Sequence, residues 1–173
     1  MLGQRVENRR VDSKRHMEEG IIPAVMWSSA IMPVLSEGHS FRIPLSGLSM
    51  YPLIVGGRDE VILSAAEGRK LKRGDIVLYV RDDGTHVLHR VHHIKDDGCF
   101  MIGDAQTWIE GPVVREKVLA VTEAVIRKNR MISCKSFSYK VISAVWLFLR
   151  PVRPVIMRLA SIILNFLQKI KRK

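Results

Sequence analysis

Hydrophobic and polar positions divide the 173-residue chain into three parts. Residues 1–19, MLGQRVENRRVDSKRHMEE, are polar and charged and lack the apolar core of a signal peptide. GIIPAVMWSSAIMPVL (20–35) is apolar but short, and Pro23 and Pro33 bracket it. It falls well below the ~20 residues needed to span a bilayer, so the pattern predicts one short helix over about 24–35.

From Ser40 to about Arg127 the pattern is that of β-structure. SFRIPL alternates, and EVILSAA and DIVLYVR are β-branched runs. Asp83-Gly84 and Asp97-Gly98 are hairpin signals on either side of HVLHRVHHI. VLAVTEAVIRKNR reads as a final long strand. Short strands joined by tight turns, with little helix, predict a mainly β fold, a small coiled antiparallel domain.

The last part changes character. VISAVWLFL (141–149) is apolar, RPVRP (150–154) breaks it, and VIMRLASIILNFLQKIKRK follows. Neither apolar piece can cross a bilayer alone. Arg158, Ser161, Asn165, Lys169 and Arg172 recur at steps of three and four. They form one polar stripe on a C-terminal amphipathic helical tail. The expected organisation is an N-terminal polar segment and short helix over 1–38, a β-rich domain over 39–130, and a basic tail over 131–173.

Charge sharpens this division. The net charge is +11, yet the first 123 residues hold 16 Lys and Arg against all 17 acids. From Ala124 onward there are twelve Lys and Arg and no acid. A neutral body with a basic amphipathic tail fits an anionic membrane surface better than nucleic acid. A protein partner or twin subunit is the other reading of that helix. Cys99 and Cys134 have no metal-like spacing and predict no disulfide framework.

Candidate chemistry begins at SGLSMYPLI (46–54). A serine between strands is ordinarily a turn residue; as a nucleophile it needs a base, and the base a group to orient it. His89, in HVLHRVHH, alternates with Val87 and Val91 and so lies on an apolar face. His86 and His92 fall on the opposite face, so at most two of the four nearby histidines could ligate a metal together. Zinc wants three or four ligands, and no cofactor is expected. In GDAQTWIEG, Asp104 or Glu110 could accept the Nδ1–H of a histidine.

The order of these pieces resembles a known family. Gly-x-Ser-Met-x-Pro at 47–52, then Arg-Gly-Asp-Ile-Val at 73–77, His-Arg-Val at 89–91 and Gly-Asp at 103–104 are similar to the serine peptidase clan of type I signal peptidases and LexA-like repressors. The resemblance spans about residues 39–127. It implies Ser49 as nucleophile and His89 as base, in the manner of the histidine-base branch found in the endoplasmic reticulum and archaea. Asp104 matches that branch's Gly-Asp, and Glu110 stands where the branch carries its triad aspartate. Signal peptidases usually place a serine where this chain has Gly47, as the repressor branch does; the oxyanion hole would then rest on backbone N–H groups, that of Ser49 among them.

The expectations are therefore a serine endopeptidase acting on a peptide or precursor protein, or a non-catalytic relative that binds peptides or membranes. Gly47, Leu48, Met50, Tyr51 and Pro52 are expected to contact substrate, and Leu53 to face the groove or a membrane. The substrate is expected to add as a strand beside the Ser49 strand. With no visible export signal, the site is expected on a peripheral or monotopic protein facing the cytoplasm.

Overall fold

The computed structural model describes residues 32–171. Residues 32–36 form a helical turn; the rest of the helix expected over 24–35, and residues 1–31 generally, lie outside the described part. Eight antiparallel strands follow: β1 (Phe41–Pro44), β2 (Asp59–Ala65), β3 (Ile76–Val80), β4 (His86–Lys95), β5 (Gly98–Ile102), β6 (Glu110–Val113), β7 (Val118–Arg127) and β8 (Arg130–Ser133). They make one sheet in the order β1-β2-β7-β3-β4-β5-β6, with β8 added beside β7. Two helices close the chain, α1 (Phe137–Phe148) and α2 (Arg153–Lys171). The expected mainly β, antiparallel architecture is what the chain adopts.

β3 is buried on both faces, which explains its unbroken apolar run. Ile76 and Leu78 point into one core cluster with Ile43, Val61, Leu63 and Val125. Val77 and Tyr79 point into the other, with Val91, Met101, Val118 and Val121. The Asp83-Gly84 signal makes the β3–β4 turn, where Asp83 accepts the Thr85 N–H at 2.8 Å and Gly84 takes φ +82. At the second hairpin Lys95 pairs with Gly98, so Asp96 and Asp97 hold the turn and Gly98 opens β5.

Three expectations need correction. VLAVTEAVIRKNR is not one strand: Lys128 and Asn129 both take positive φ, and Arg127 pairs with Arg130 across them. Left-handed conformation at both central residues makes a hairpin that twists with its strands. A bulge between Val91 and His93 also breaks the strict alternation of β4, so His93 pairs with Phe100 and stacks on its ring at 4.3 Å. Finally, the expected domain boundary at 130/131 falls within packed structure. β8 completes the sheet, and α1 buries Ser143, Trp146 and Leu147 against the body.

α1 starts where Ser136 caps it, its Oγ accepting the Tyr139 N–H at 3.4 Å. The outward face of α1 carries exposed Phe137, Val141, Ile142, Val145 and Phe148. No helix among the described residues is long and apolar enough to cross a membrane.

Candidate functional site

Ser49 sits in the turn that follows β1, not on a strand. This segment is tied at both ends. Arg127 donates to the Leu53 carbonyl at 2.6 Å and to the buried Asp59 carboxylate at 2.9 Å. Asp59 also accepts the Val55 N–H. On the other side, Ala105 donates its N–H to the Ser49 carbonyl at 2.9 Å. Gly103 makes that approach possible, because a Cβ there would stand 2.7 Å from the Ser49 carbonyl oxygen. Gly47 has φ +79, so a serine at this position would be strained. The conformation of the loop thus accounts for the missing hydroxyl.

His89 is buried on the inward face of β4, opposite Val77 of β3. Its Nδ1 lies 3.3 Å from the Tyr79 hydroxyl and 3.7 Å from Glu110 Oε1. Tyr79 in turn donates to Glu110 Oε2 at 2.7 Å. Arg81, the residue after β3, holds the same carboxylate with both arms, Nε to Oε2 at 2.9 Å and Nη2 to Oε1 at 2.5 Å. The tyrosine is therefore a bridge: its oxygen accepts from His89 Nδ1–H while its proton goes to Glu110. That fixes the tautomer and leaves Nε2 for the cavity.

The cavity is about 300 Å³, and Ser49 and His89 both line it with Ser46, Gly47, Met50 and Gln106. A second cavity of about 360 Å³ lies on the far side of Glu110, beside Arg81, Asp82 and Lys117. It touches neither Ser49 nor His89, so the first cavity is where the candidate chemistry meets.

Of the two candidate acids, the structure brings only Glu110 to the histidine. Asp104 is fully buried, and both its oxygens are taken by Arg90, at 2.9 and 2.7 Å. Arg90 follows His89 directly and so points to the opposite face of β4, which carries Asp104 away from Nδ1. Of the five expected substrate contacts, Gly47 and Met50 line the cavity, though Met50 is also buried in the core. Leu48, Tyr51 and Pro52 do not line it, and Leu48 projects into solvent at 62% exposure. Leu53 is half-buried against the core. Tyr79 and Arg81 carry no sequence signal as site residues, since only the sheet brings them to Glu110. Among the described residues no group of three or more His, Cys, Asp or Glu is placed to hold a metal.

Burial pushes the His89 pKa down from 6.5 to about 4; Glu110 opposes this, and Arg81 adds to it. Burial alone would raise the Glu110 carboxyl, but hydrogen bonds from Arg81 and Tyr79 prevail and hold it below the usual range. His89 is thus a neutral base through the neutral range. The unfolded chain takes up a proton near pH 6.5 and the folded chain only near 4. Stability is therefore full above about pH 6.5 and falls as pH drops toward 4, by roughly 3 kcal/mol on the folded–unfolded difference. Urea unfolding of wild type and His89→Gln across this range checks it: the slope should flatten in the variant.

Neither models of known families nor curated proteins give a match to this chain.

Proposed function

We propose that this chain is a signal-peptidase-like serine endopeptidase that cleaves a peptide or precursor protein. One observation carries the reading: the Ser49 turn and the buried His89, far apart in sequence, line one cavity, and the far nitrogen of His89 is backed by Tyr79 and Glu110. Ser49 Oγ attacks the scissile carbonyl while His89 Nε2 takes its proton. His89 then gives that proton to the leaving amine, and water repeats the cycle on the acyl-enzyme. Glu110, through Tyr79, stabilises the imidazolium as it forms. Backbone N–H groups of the Gly47–Ser49 turn serve the developing oxyanion.

The sheet also favours a polypeptide substrate. Among the described residues β1 pairs on one side only, with β2. β4 meets β5 only from Arg90 onward, so among the described residues 86–89 have one edge without a strand partner. Residues 45–47 after β1 and 86–89 of β4 both line the cavity. An extended chain between them finds main-chain donors and acceptors.

A fluorophosphonate probe tests the reading. Wild type should label, with the adduct mapped by mass spectrometry to Ser49, and Ser49→Ala should not. A wild type that never labels and cleaves no peptide is the non-catalytic binder.

The second element of the reading is an anionic membrane surface as partner. It rests on the apolar outward face of α1, beside Lys140 and Arg150 in a stretch of sequence free of acids. Vesicles containing phosphatidylglycerol should carry the protein in flotation, and neutral vesicles should carry much less. Val145→Glu with Phe148→Glu should lower the bound fraction at least ~10-fold, since each side chain contributes about 1.5–3 kcal/mol when buried. Both positions are exposed, at 51% and 80%, so the fold should stand. Flotation unchanged in the double variant removes α1 as the anchor; retention on DNA that weakens steeply with salt favours nucleic acid.

A further inference from the structure

His86 opens β4 and pairs with Val80 across the hairpin. It shares a face with Leu88 and Arg90, opposite His89. Both histidines nevertheless line the Ser49 cavity, because that cavity runs along the unpaired edge of residues 86–89. Both ring nitrogens of His86 are buried, and neither has a partner in hydrogen-bond geometry among the described residues. Burial pushes the His86 pKa below its ordinary value, and the nearby Gly84 carbonyl opposes this without prevailing. A carbonyl can only accept, so it can serve only the nitrogen that carries the proton. The other nitrogen needs a donor, and the described residues do not supply one.

Gln106 lines the same cavity. Its Oε1 accepts the Gly103 N–H at 3.0 Å, which turns its NH₂ end away from Gly103. The lining of the cavity thus includes, with Ser49, one side chain able to accept and one able to donate. A main-chain amide segment presents the complementary pair.

We infer that His86 is a substrate-binding residue: its unprotonated nitrogen accepts a main-chain N–H of a bound extended peptide, with Gln106 donating to a carbonyl of the same segment. This rests on the peptidase reading above. It also explains why a polar ring is left unpaired in the free protein. Burying an unmet acceptor costs stability, and such costs collect at sites that bind.

His86→Phe keeps an aromatic ring and removes both nitrogens. Its Tm should rise by about 2–4 °C, because the unpaired groups are gone. Fluorophosphonate labelling of Ser49 should stay within about twofold of wild type. With a quenched fluorogenic peptide selected because wild type cleaves it, KM should rise at least ~10-fold while kcat stays within about threefold. His86→Gln, which restores an acceptor, should recover part of that KM. In Ser49→Ala protein, adding the same peptide should shift the ¹⁵N resonances of the His86 ring. An unchanged KM, a fall in Tm, or a loss of labelling alongside cleavage overturns the inference and leaves His86 a packing residue. Failure of wild type to label at all overturns the peptidase reading itself, and this inference with it.

Discussion

Ser49→Ala protein is expected to turn over peptides about 10⁴- to 10⁶-fold more slowly than wild type, and His89→Ala to fall nearly as far. In the proposed mechanism the two act as a unit, so the double variant should lose little more than either alone. The residues behind His89 should grade below them. Glu110 Oε1 stands 3.7 Å from Nδ1, too far for a good hydrogen bond, whereas the Tyr79 hydroxyl at 3.3 Å is nearer. Tyr79→Phe should therefore cost about 10- to 100-fold in kcat, the range for a group that orients another. KM should hold, because Tyr79 lies outside the cavity lining. Tyr79→Phe activity within twofold of wild type would mean that Glu110 acts on His89 directly. Steady-state kinetics on purified variants, with circular dichroism to confirm folding, reads all of this.

Much of the fold could be read along the chain, because the strands that matter are short and locally patterned. β2 and β3 announce themselves as β-branched runs, and Asp83-Gly84 marks its turn. The second half of β7–β8 could not be read the same way. Lys128-Asn129 adopts a conformation that Lys seldom takes, and tertiary pairing enforces it. The bulge at His92 follows from the β4–β5 register, which no local pattern encodes. For the site, alternation alone put His89 on an inward face. It could not choose between Asp104 and Glu110, because each partner depends on which side of β4 it approaches. Arg90, one residue from His89, decides that by claiming Asp104. Tyr79 looks like an ordinary strand residue, and Arg81 like an ordinary turn residue, until β3 and β6 are brought within reach of one another by the intervening β4 and β5.

Asp104→Ala is expected to lower stability by about 3–5 kcal/mol, because it leaves the fully buried Arg90 without its counter-charge. For a chain of this size that is a Tm lower by about 10 °C. The pair sits at the centre of the junction between sheet and C-terminal helices. Arg90 also donates to the Gly74 carbonyl and to Ser143 of α1, both at 3.0 Å. Trp146 Nε1 donates to the Asp104 carbonyl at 2.9 Å. Arg153, buried at the start of α2, donates to the carbonyls of Gly103, Gln106 and Trp146. The loop bearing Asp104 in turn grips the Ser49 carbonyl through Ala105. Removing residues 131–173 should therefore unfold the β domain rather than release it, and the membrane test needs surface substitutions instead of a deletion. Arg90→Met with Asp104→Leu should recover most of the loss, since a buried ion pair exchanged for apolar side chains is often neutral. The two functions of the candidate acids separate in one measurement. Asp104→Ala should melt early yet keep the acid-side slope in stability that belongs to His89, while Glu110→Gln should change that slope. A melting temperature within 2 °C of wild type for Asp104→Ala would show that Arg90 finds other partners and that the junction does not depend on the pair.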